Sequence, residues 1–358
     1  MKQLALVFLV LFTAVALASD SRVEFKFDSS EADAVLAILE LRAAGRQATD
    51  SDWQRLFTSE PYLRLKKREA SMHRDFTDDD FRRFVESDDL TKRRPALRHT
   101  LETWKKADLR AAAERILPYL PADARVKASV YPVIKPKTNS FVFETDTNPA
   151  IFLYLDPEQS PSEFMNIVAH ESHHIGFADA SKQYEEKIKV LPENPRKAAE
   201  WMGAFGEGLA VLAAAGSADV HPMHDFKDDQ RTRWDQDMKF VDQELLEVNQ
   251  FFLDVINGGF TKPDVADHVA FTFFGYRGPW YTVGYKMGTL VEKRFGRAVL
   301  IECMSDPRKL LAKYNDAANL ENTAGRTEKL PLWSTEILKA VGIPAANGND
   351  SSSGQQPR

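Results

Sequence analysis

One short stretch of the chain carries side chains that could bind a metal ion and use it. His170 and His174 lie four positions apart and enclose Glu171 in the pattern His-Glu-x-x-His. Residues four apart share one face of a helix, so both imidazole rings can bind the same ion. Glu171 then lies beside the pair, where its carboxylate can accept a proton from an attacking water. The chain has 8 histidines in 358 residues, and at this composition about 0.01 matches to the pattern are expected by chance. The pattern therefore predicts a zinc site with a general base beside it.

A catalytic zinc site needs a third protein ligand, because two histidines and a water do not complete it. The best candidate is Glu207, which follows His174 by 33 positions. Small residues surround this glutamate: Gly203, Ala204, Gly206, Gly208 and Ala210. Each glycine costs a helix about 1 kcal/mol, so several together indicate that two helices must approach closely. The alternative is a solvated Glu207 on a glycine-rich turn, with Glu200 as the reserve ligand and Asp179, expected just past the end of the metal helix, as a weaker one.

Two tyrosines could stabilise the negative oxygen that develops when a carbonyl is attacked. Tyr281 and Tyr285 lie four apart and share a helix face, and a tyrosine hydroxyl can donate a hydrogen bond to such an oxygen. The competing interpretation is that both belong to a packed aromatic face with Trp280. His221 and His224 are interpreted as a loop pair, since no pattern of carboxylates accompanies them.

The elements around the metal motif can be predicted from local signals. Ser160-Pro161-Ser162-Glu163 provides an N-cap, a proline at the first helical position and a capping-box glutamate, so a helix should begin there and carry the motif. Residues 126–134, 141–143 and 150–155 are separated by turn signals and predict three short strands in one small sheet. A strand followed by the metal helix is an arrangement in which an edge strand can hold an extended substrate as an added strand.

The rest of the chain shows helical spacing of its apolar residues, which predicts an α+β fold that is predominantly α-helical. We expect an N-terminal helical lobe over residues 19–120. Residues 121–342 should form the catalytic domain, with the small sheet, the metal-binding helix and surrounding helices. The polar, low-complexity segment 343–358 is predicted to be a disordered tail.

The first residues predict export. Residues 1–18 contain Lys2, an apolar run and a final Ala-Leu-Ala, which together are typical of a cleavable signal peptide. The run is short for a membrane span, so we expect a periplasmic or extracellular protein without stable membrane insertion after cleavage; an uncleaved anchor is the alternative. Cys303 is the only cysteine and excludes a disulfide within the chain. The net charge of −6 provides no basic surface for nucleic acid.

The motif together with a distal glutamate resembles the gluzincin group of zinc metallopeptidases. Four segments resemble a bacterial family of zinc-dependent peptidases of unknown function: residues 23–28, 170–174, 206–210 and 281–287. The resemblance covers about residues 23–318. It implies a zincin-like core and one zinc ion per chain, with His170, His174 and Glu207 as ligands and Glu171 as the catalytic base.

Three functional hypotheses follow. The leading one is an exported metallopeptidase that hydrolyses the peptide bonds of a peptide or protein substrate, with a zinc-activated water and Glu171 as general base. The second is a zinc hydrolase with a non-peptide substrate, since metal and base do not specify the electrophile. The third is an inactive zincin-like helical binding protein, which would hold its metal in a closed site with four protein ligands.

Overall fold

The computed structural model of the protein describes four stretches of the chain: residues 22–260, 263–275, 278–325 and 327–344. The predicted signal peptide at residues 1–18 lies outside the described residues, as do residues 345–358 of the predicted tail. In the described stretches helices predominate over one small sheet, which confirms the predicted α+β, mainly helical fold class.

The sheet has four strands where three were predicted. They are β1 (Val23–Phe27), β2 (Val126–Val133), β3 (Phe141–Phe143) and β4 (Ala150–Tyr154), in the order β1-β2-β4-β3. β1 runs parallel to β2, β2 runs parallel to β4, and β3 runs antiparallel to β4. β1 was missed although Val23, Phe25 and Phe27 alternate with charged residues, which is a local signal of a strand. Its partner β2 lies about a hundred residues further along the chain. Local periodicity carries no information about so distant a pairing.

The order of the strands places β3 at one edge of the sheet. β4 lies between β2 and β3, and it is buried along its whole length because the side chains on its two faces belong to two hydrophobic clusters. Phe141 of β3 pairs with Phe152 of β4, and their rings stack with centroids 4.9 Å apart. This stacking holds a strand of three residues against the sheet, although so short a strand contributes few backbone hydrogen bonds.

Six helices lie between β1 and β2: α1 (Ser30–Ala43), α2 (Asp50–Phe57), α3 (Glu60–Ser71), α4 (Asp78–Val85), α5 (Asp88–Trp104) and α6 (Leu109–Ile116). Threonine, serine or aspartate side chains cap four of them by accepting a backbone hydrogen bond, as expected at helix N-termini. α6 packs against both β1 and the metal helix described next, so the N-terminal helices support the site from one side.

The metal helix is α7 (Pro161–Ile188), and it begins where the sequence predicts. Ser160 Oγ accepts a hydrogen bond from the backbone N–H of Glu163 at 3.1 Å, and the Glu163 carboxylate accepts one from the Ser160 N–H at 2.9 Å. The helix is longer than predicted. Asp179 lies inside it and not past its end, because no glycine or proline stops the helix before residue 188.

α7 is fixed by close packing at two levels. Near its start, Phe164 stacks on Trp104 of α5 with ring centroids 4.1 Å apart. Further along, Gly176 leaves room for Leu120, whose Cδ1 would lie only 2.3 Å from a β-carbon added at that glycine. The metal helix therefore has little freedom to rotate or slide against the elements that support it.

In the described part of the chain after α7, nine helices follow: α8 (Glu193–Met202), α9 (Gly206–Ala215), α10 (Asp228–Asp237), α11 (Val241–Ile256), α12 (Pro263–Thr272), α13 (Pro279–Phe295), α14 (Arg297–Met304), α15 (Pro307–Thr323) and α16 (Thr335–Ala340). One continuous hydrophobic core extends from Val23 to Val341, so residues on both sides of the predicted boundary at residue 120 contribute to it. Within the described stretches no helix has both the length and the apolar composition that a bilayer span requires.

α9 and α13 approach each other through glycines. A β-carbon added at Gly208 of α9 would lie 2.2 Å from the backbone N of Tyr285 and 2.4 Å from the backbone O of Tyr281. A β-carbon at Gly284 of α13 would lie 2.6 Å from the backbone O of Phe205. Gly208 thus has the steric purpose that the sequence indicated, a close contact between two helix backbones. Gly203 and Gly206 do not, because a β-carbon added at either would meet no atom within 4 Å.

A buried carboxyl group joins α1 to the end of β2. Glu31 is fully buried, and its Oε2 accepts a hydrogen bond from the backbone N–H of Ile134 at 3.0 Å. Burial raises the pKa of Glu31 to about 8, although the Ile134 hydrogen bond and the nearby Lys135 act in the opposite direction. The carboxyl group is therefore protonated at neutral pH.

Candidate metal centre

Three predicted ligands converge at one point between α7 and α9. His170 and His174 lie one turn apart on α7, and Glu207 lies in the first turn of α9. The two histidine Nε2 atoms are 3.2 Å apart, and Glu207 Oε2 lies 3.2 Å from Nε2 of His170 and 3.4 Å from that of His174. In the part of the chain that the structure describes, no other group of three or more His, Cys, Asp or Glu side chains converges in this way.

These separations fit a zinc ion. Zinc binds histidine nitrogen and carboxylate oxygen at about 2.0–2.2 Å with tetrahedral geometry, which places neighbouring ligand atoms about 3.3 Å apart. The three distances of 3.2–3.4 Å match this value without any movement of the side chains. Two imidazoles and one carboxylate are also the donor set of a known class of catalytic zinc sites.

Charge pairing dominates the electrostatics of the three ligands. Burial alone would raise the pKa of Glu207, but the adjacent imidazoles of His174 and His170 lower it far below its usual range. Burial opposes the charged form of His174, yet the Glu207 carboxylate raises the pKa of this histidine to about 9. The carboxylate therefore attracts positive charge to this point, and a cation that binds there replaces protons.

Glu171 lies next to the ligands without joining them. Its side chain is largely buried, with 7% of the residue exposed, and it lines the same cavity as His174 and Glu207. Burial raises the pKa of Glu171, the two histidines lower it, and Glu207 raises it further. A carboxylate in such a position can accept a proton from water that reacts at the metal site.

Three cavities border the ligands. The first, which we call the edge-strand cavity, has a volume of about 370 Å³ and is lined by Ser140, Phe141 and Val142 together with Glu171. The second, the tyrosine cavity, has a volume of about 280 Å³, and its lining includes both His170 and Tyr281. The two cavities border different ligands, since His174 and Glu207 line the first and His170 lines the second.

The third cavity, the apolar cavity, is the largest of the three at about 600 Å³. His174 and Glu207 are among its lining residues. Apolar side chains form most of its walls: Phe177, Tyr184, Ile188, Phe205, Leu209, Phe274, Met304 and Pro307. The metal site is thus accessible from a cleft and is also connected to a deep apolar pocket.

The two predicted tyrosines have different surroundings. The ring of Tyr281 faces that of His170, with centroids 6.4 Å apart and planes 20° apart. Tyr285 points away, since it packs edge-on against Trp234 at 5.4 Å, and burial raises the pKa of its hydroxyl. The structure therefore brings Tyr281 to the metal site and places Tyr285 in a packed aromatic face.

The two reserve carboxylates do not join the ligand group. Glu200 is 48% exposed and forms an ion pair with Arg196 at 3.7 Å. Asp179 is 93% exposed and lies 3.7 Å from Lys182, on the outer surface of α7. Asp179 was predicted to lie past the end of the metal helix, but α7 continues beyond it. Its side chain is therefore on the outer surface of the helix and away from the metal.

The remaining histidines have structural surroundings. His173 is buried and stacks on Phe177 at 5.8 Å, and burial lowers the pKa of its imidazole to about 3. His221 lies 2.9 Å from the carboxylate of Asp235. His224 contacts a different carboxylate, so the pair predicted in the loop does not converge on one point.

Two parts of the site were not identified from the sequence. One is the identity of the edge strand. The uninterrupted apolar run at residues 150–155 is typical of a strand with neighbours on both sides, and this signal could have placed the short β3 at the edge of the sheet. The other is the contribution of α14 and α15, whose Met304 and Pro307 line the apolar cavity. Their position depends on tertiary packing, for which the sequence offers no local signal.

The comparisons with known proteins agree with this geometry. A family model described as "Putative zinc dependent peptidase (DUF5700)" matches residues 46–323, more than three quarters of the chain. The match includes His170, Glu171, His174 and Glu207. No curated protein and no solved structure matches the chain. The chain therefore belongs to the DUF5700 family, whose description is that of a zinc-dependent peptidase.

Proposed function

We propose that this protein is an exported zinc metallopeptidase of the gluzincin type, which binds one zinc ion per chain through His170, His174 and Glu207. The observation that carries the proposal is the spacing of the three donor atoms, 3.2–3.4 Å, which is the spacing of tetrahedral zinc ligands. The membership of the chain in a family described as zinc-dependent peptidases supports the same conclusion.

The surroundings of the ligands favour a catalytic site over a structural one. A structural zinc site is closed by four protein ligands, whereas a catalytic site keeps one position for water or substrate. Only three metal-binding side chains converge among the residues that the structure describes, and cavities border them on several sides. These features argue against an inactive protein with a closed metal site.

Each catalytic side chain has a separate task in the hydrolysis of a peptide bond. Zinc held by the three ligands supplies a Lewis acid that polarises the carbonyl and lowers the pKa of water. Glu171 takes the proton of the attacking water as the water oxygen bonds to the carbonyl carbon. Glu171 then gives this proton to the amine nitrogen as the carbon–nitrogen bond breaks. Tyr281, next to His170, donates a hydrogen bond to the negative oxygen of the intermediate.

The edge strand β3 supplies the surface for an extended peptide. Ser140, Phe141 and Val142 line the cavity that also contains Glu171. An edge strand presents backbone N–H and C=O groups on its outer side, and a peptide can pair with them as an additional strand. Such pairing recognises the backbone of a substrate without regard to its side chains. It would place successive peptide bonds of the substrate above Glu171.

The signal-peptide pattern of residues 1–18 supports export to the periplasm or the extracellular space. Cleavage after Ala18 leaves a mature chain that begins just before β1. Measurement of the N-terminal sequence of the protein recovered from the source cell tests this part of the proposal. A protein that retains residues 1–18 and sediments with membranes would contradict it.

The enzymatic part is tested by metal analysis and hydrolysis on matched variants. Purified wild type should contain about one zinc ion per chain, and Glu171→Gln should keep the zinc while its hydrolysis of a denatured peptide mixture falls by at least about 100-fold. Glu186→Gln is the control, because it removes the same charge from an exposed position of α7. Protein that stays metal-free with zinc present would refute the site. Bound zinc without peptide cleavage would favour a non-peptide substrate.

A further inference from the structure

Among the described residues, the apolar cavity is the largest of the cavities that open at the ligand group. Catalysis at the metal centre alone does not require such a cavity. It extends from His174 and Glu207 along the C-terminal half of α7 and reaches α14 and α15. Its position beside the reacting bond makes it a candidate for recognition of a substrate side chain.

One wall of this cavity is a face of α7 on which apolar side chains predominate, with Ser181 among them. Phe177, Tyr184 and Ile188 follow at spacings of seven and four residues, which places them on the same side of the helix. The Tyr184 hydroxyl donates a hydrogen bond to the backbone O of Ala199 at 2.6 Å. The hydroxyl is therefore already satisfied, and the ring of Tyr184 presents an apolar surface to the cavity.

The opposite wall is the short turn between α8 and α9, and it leaves space open. A β-carbon added at Gly203 would meet no atom within 4 Å, and the same is true of Gly206. Ala204 between them has a small side chain. These residues contrast with Gly208, where the backbone of α13 leaves no room. The turn therefore borders a volume that a large guest can occupy.

Apart from the proposed metal ligands His174 and Glu207, the charged residues that line the cavity lie on its exposed rim. They are two cations, Lys189 and Arg196, and two carboxylates, Glu185 and Glu200. Arg196 pairs with Glu200 at 3.7 Å, and Lys189 pairs with a carboxylate outside the cavity. The rim favours neither sign of charge. Away from the metal ligands, no charged side chain among the described residues lines the interior, so a charged guest would be buried there without a partner, which is unfavourable.

We infer that the apolar cavity is a specificity pocket that takes one bulky apolar side chain, aromatic or large aliphatic, from the residue next to the scissile bond. The inference rests on the proposed peptidase function, because the pocket opens at the proposed zinc ligands. Apolar walls favour such a side chain by removing its surface from water. A pocket of this kind separates large from small apolar side chains by about 10- to 200-fold in kcat/KM.

Cleavage profiling of the zinc-loaded, full mature protein tests the pocket. A peptide library should be cut where Phe, Trp, Leu or Met occupies one fixed position next to the bond, with kcat/KM at least about 10-fold above that of Ala. Gly203→Leu should lower kcat/KM for the large side chains to the value for Ala, so that the preference disappears. Gly203→Ala, which adds one methyl group, should have a smaller effect. Gln183→Leu, on the exposed surface of α7 and outside the cavity, should have none.

Gly203 has φ −58° and ψ −26°, a conformation that leucine also adopts, so this variant should fold. Ala204→Leu is a second variant that narrows the same pocket from the neighbouring position. For both variants, zinc content and melting temperature should equal those of wild type. Cleavage without preference at either side of the bond would overturn the inference and leave the peptidase function intact.

A binding measurement separates failure of the pocket from failure of the proposed function. Two zinc-chelating peptide hydroxamates that differ only in a benzyl or a methyl side chain are titrated into zinc-loaded wild type and Gly203→Leu by calorimetry. The benzyl compound should bind wild type at least about 10-fold more tightly, and Gly203→Leu should remove the difference. Equal affinities in wild type would refute the pocket, even if no peptide were cleaved.

Discussion

The contact between α9 and α13 at Gly208 predicts that a single methyl group there disturbs the metal site. Gly208→Ala would place its β-carbon 2.2 Å from the backbone N of Tyr285, where ordinary contacts are 3.4–4 Å. The obstacle is backbone, so no side chain can rotate away and the two helices must separate by about 1 Å. Gly206→Ala is a matched control two residues away, since its β-carbon meets no atom within 4 Å.

The two substitutions should have different effects on the free energy of unfolding. Overpacking of a rigid contact costs about 1–3 kcal/mol, and backbone against backbone belongs at or above the upper end of this range. Alanine regains about 1 kcal/mol of helix propensity over glycine. Gly208→Ala should therefore lower the free energy of unfolding by about 2 kcal/mol. Gly206→Ala should leave it unchanged or raise it by up to about 1 kcal/mol.

The same displacement should reach the metal, because Glu207 precedes Gly208 on α9. Zinc affinity of Gly208→Ala should fall by about 10- to 100-fold, as it does when the groups that orient a ligand are altered. Urea unfolding gives the stabilities, and competition with a chromogenic chelator gives the zinc affinities. Equal stability and equal affinity of the two variants would refute the conclusion that this glycine contact positions the third ligand.

Three further predictions follow from the site and its support. Glu207→Ala should lose stoichiometric zinc on dialysis, whereas Glu200→Ala should keep it, as elemental analysis can determine; the reverse result would identify Glu200 as the ligand. Tyr281→Phe should lower kcat/KM by about 100-fold or more with zinc retained, while Tyr285→Phe should change it far less, and equal effects of the two would exclude Tyr281 as the oxyanion donor. Burial raises the pKa of Glu31 from 4.5 to about 8, so its stabilising contribution is complete below pH 4.5 and is lost as the pH rises through 8. This loss amounts to several kcal/mol, at about 1.4 kcal/mol per pKa unit, and Glu31→Gln should remove it. The free energy of unfolding of both proteins, measured as a function of pH, tests this; the same pH dependence in both would contradict it.

Local signals in the sequence predicted those parts of the structure that local interactions determine. The start of α7 was predicted because Ser160 and Glu163 form their capping hydrogen bonds within four residues. Glu207 was found through the glycines around it, whose cost in a helix signals a close contact. His170 and His174 needed only the periodicity of a helix.

The features that were missed depend on residues far apart in the chain. β1 pairs with β2 across the whole N-terminal helical segment, and neither strand contains a signal for the other. Tyr281 and Tyr285 look equivalent by spacing, and the packing of Trp234 from another helix is what distinguishes them. The end of α7 was placed before Asp179, but the helix continues to Ile188 and accommodates Leu120 at Gly176.

The two edges of the sheet have different consequences for self-association. At the β1 edge, Arg110 of α6 donates a hydrogen bond to the backbone O of Val23 at 3.0 Å, so this edge is partly occupied by the protein itself. β3 forms the other edge and borders the cavity that contains Glu171. Exposed strand edges are sites where a second copy of a protein can pair. In this protein such pairing at β3 would fill the cleft, so dimerisation through the sheet and catalysis would exclude each other.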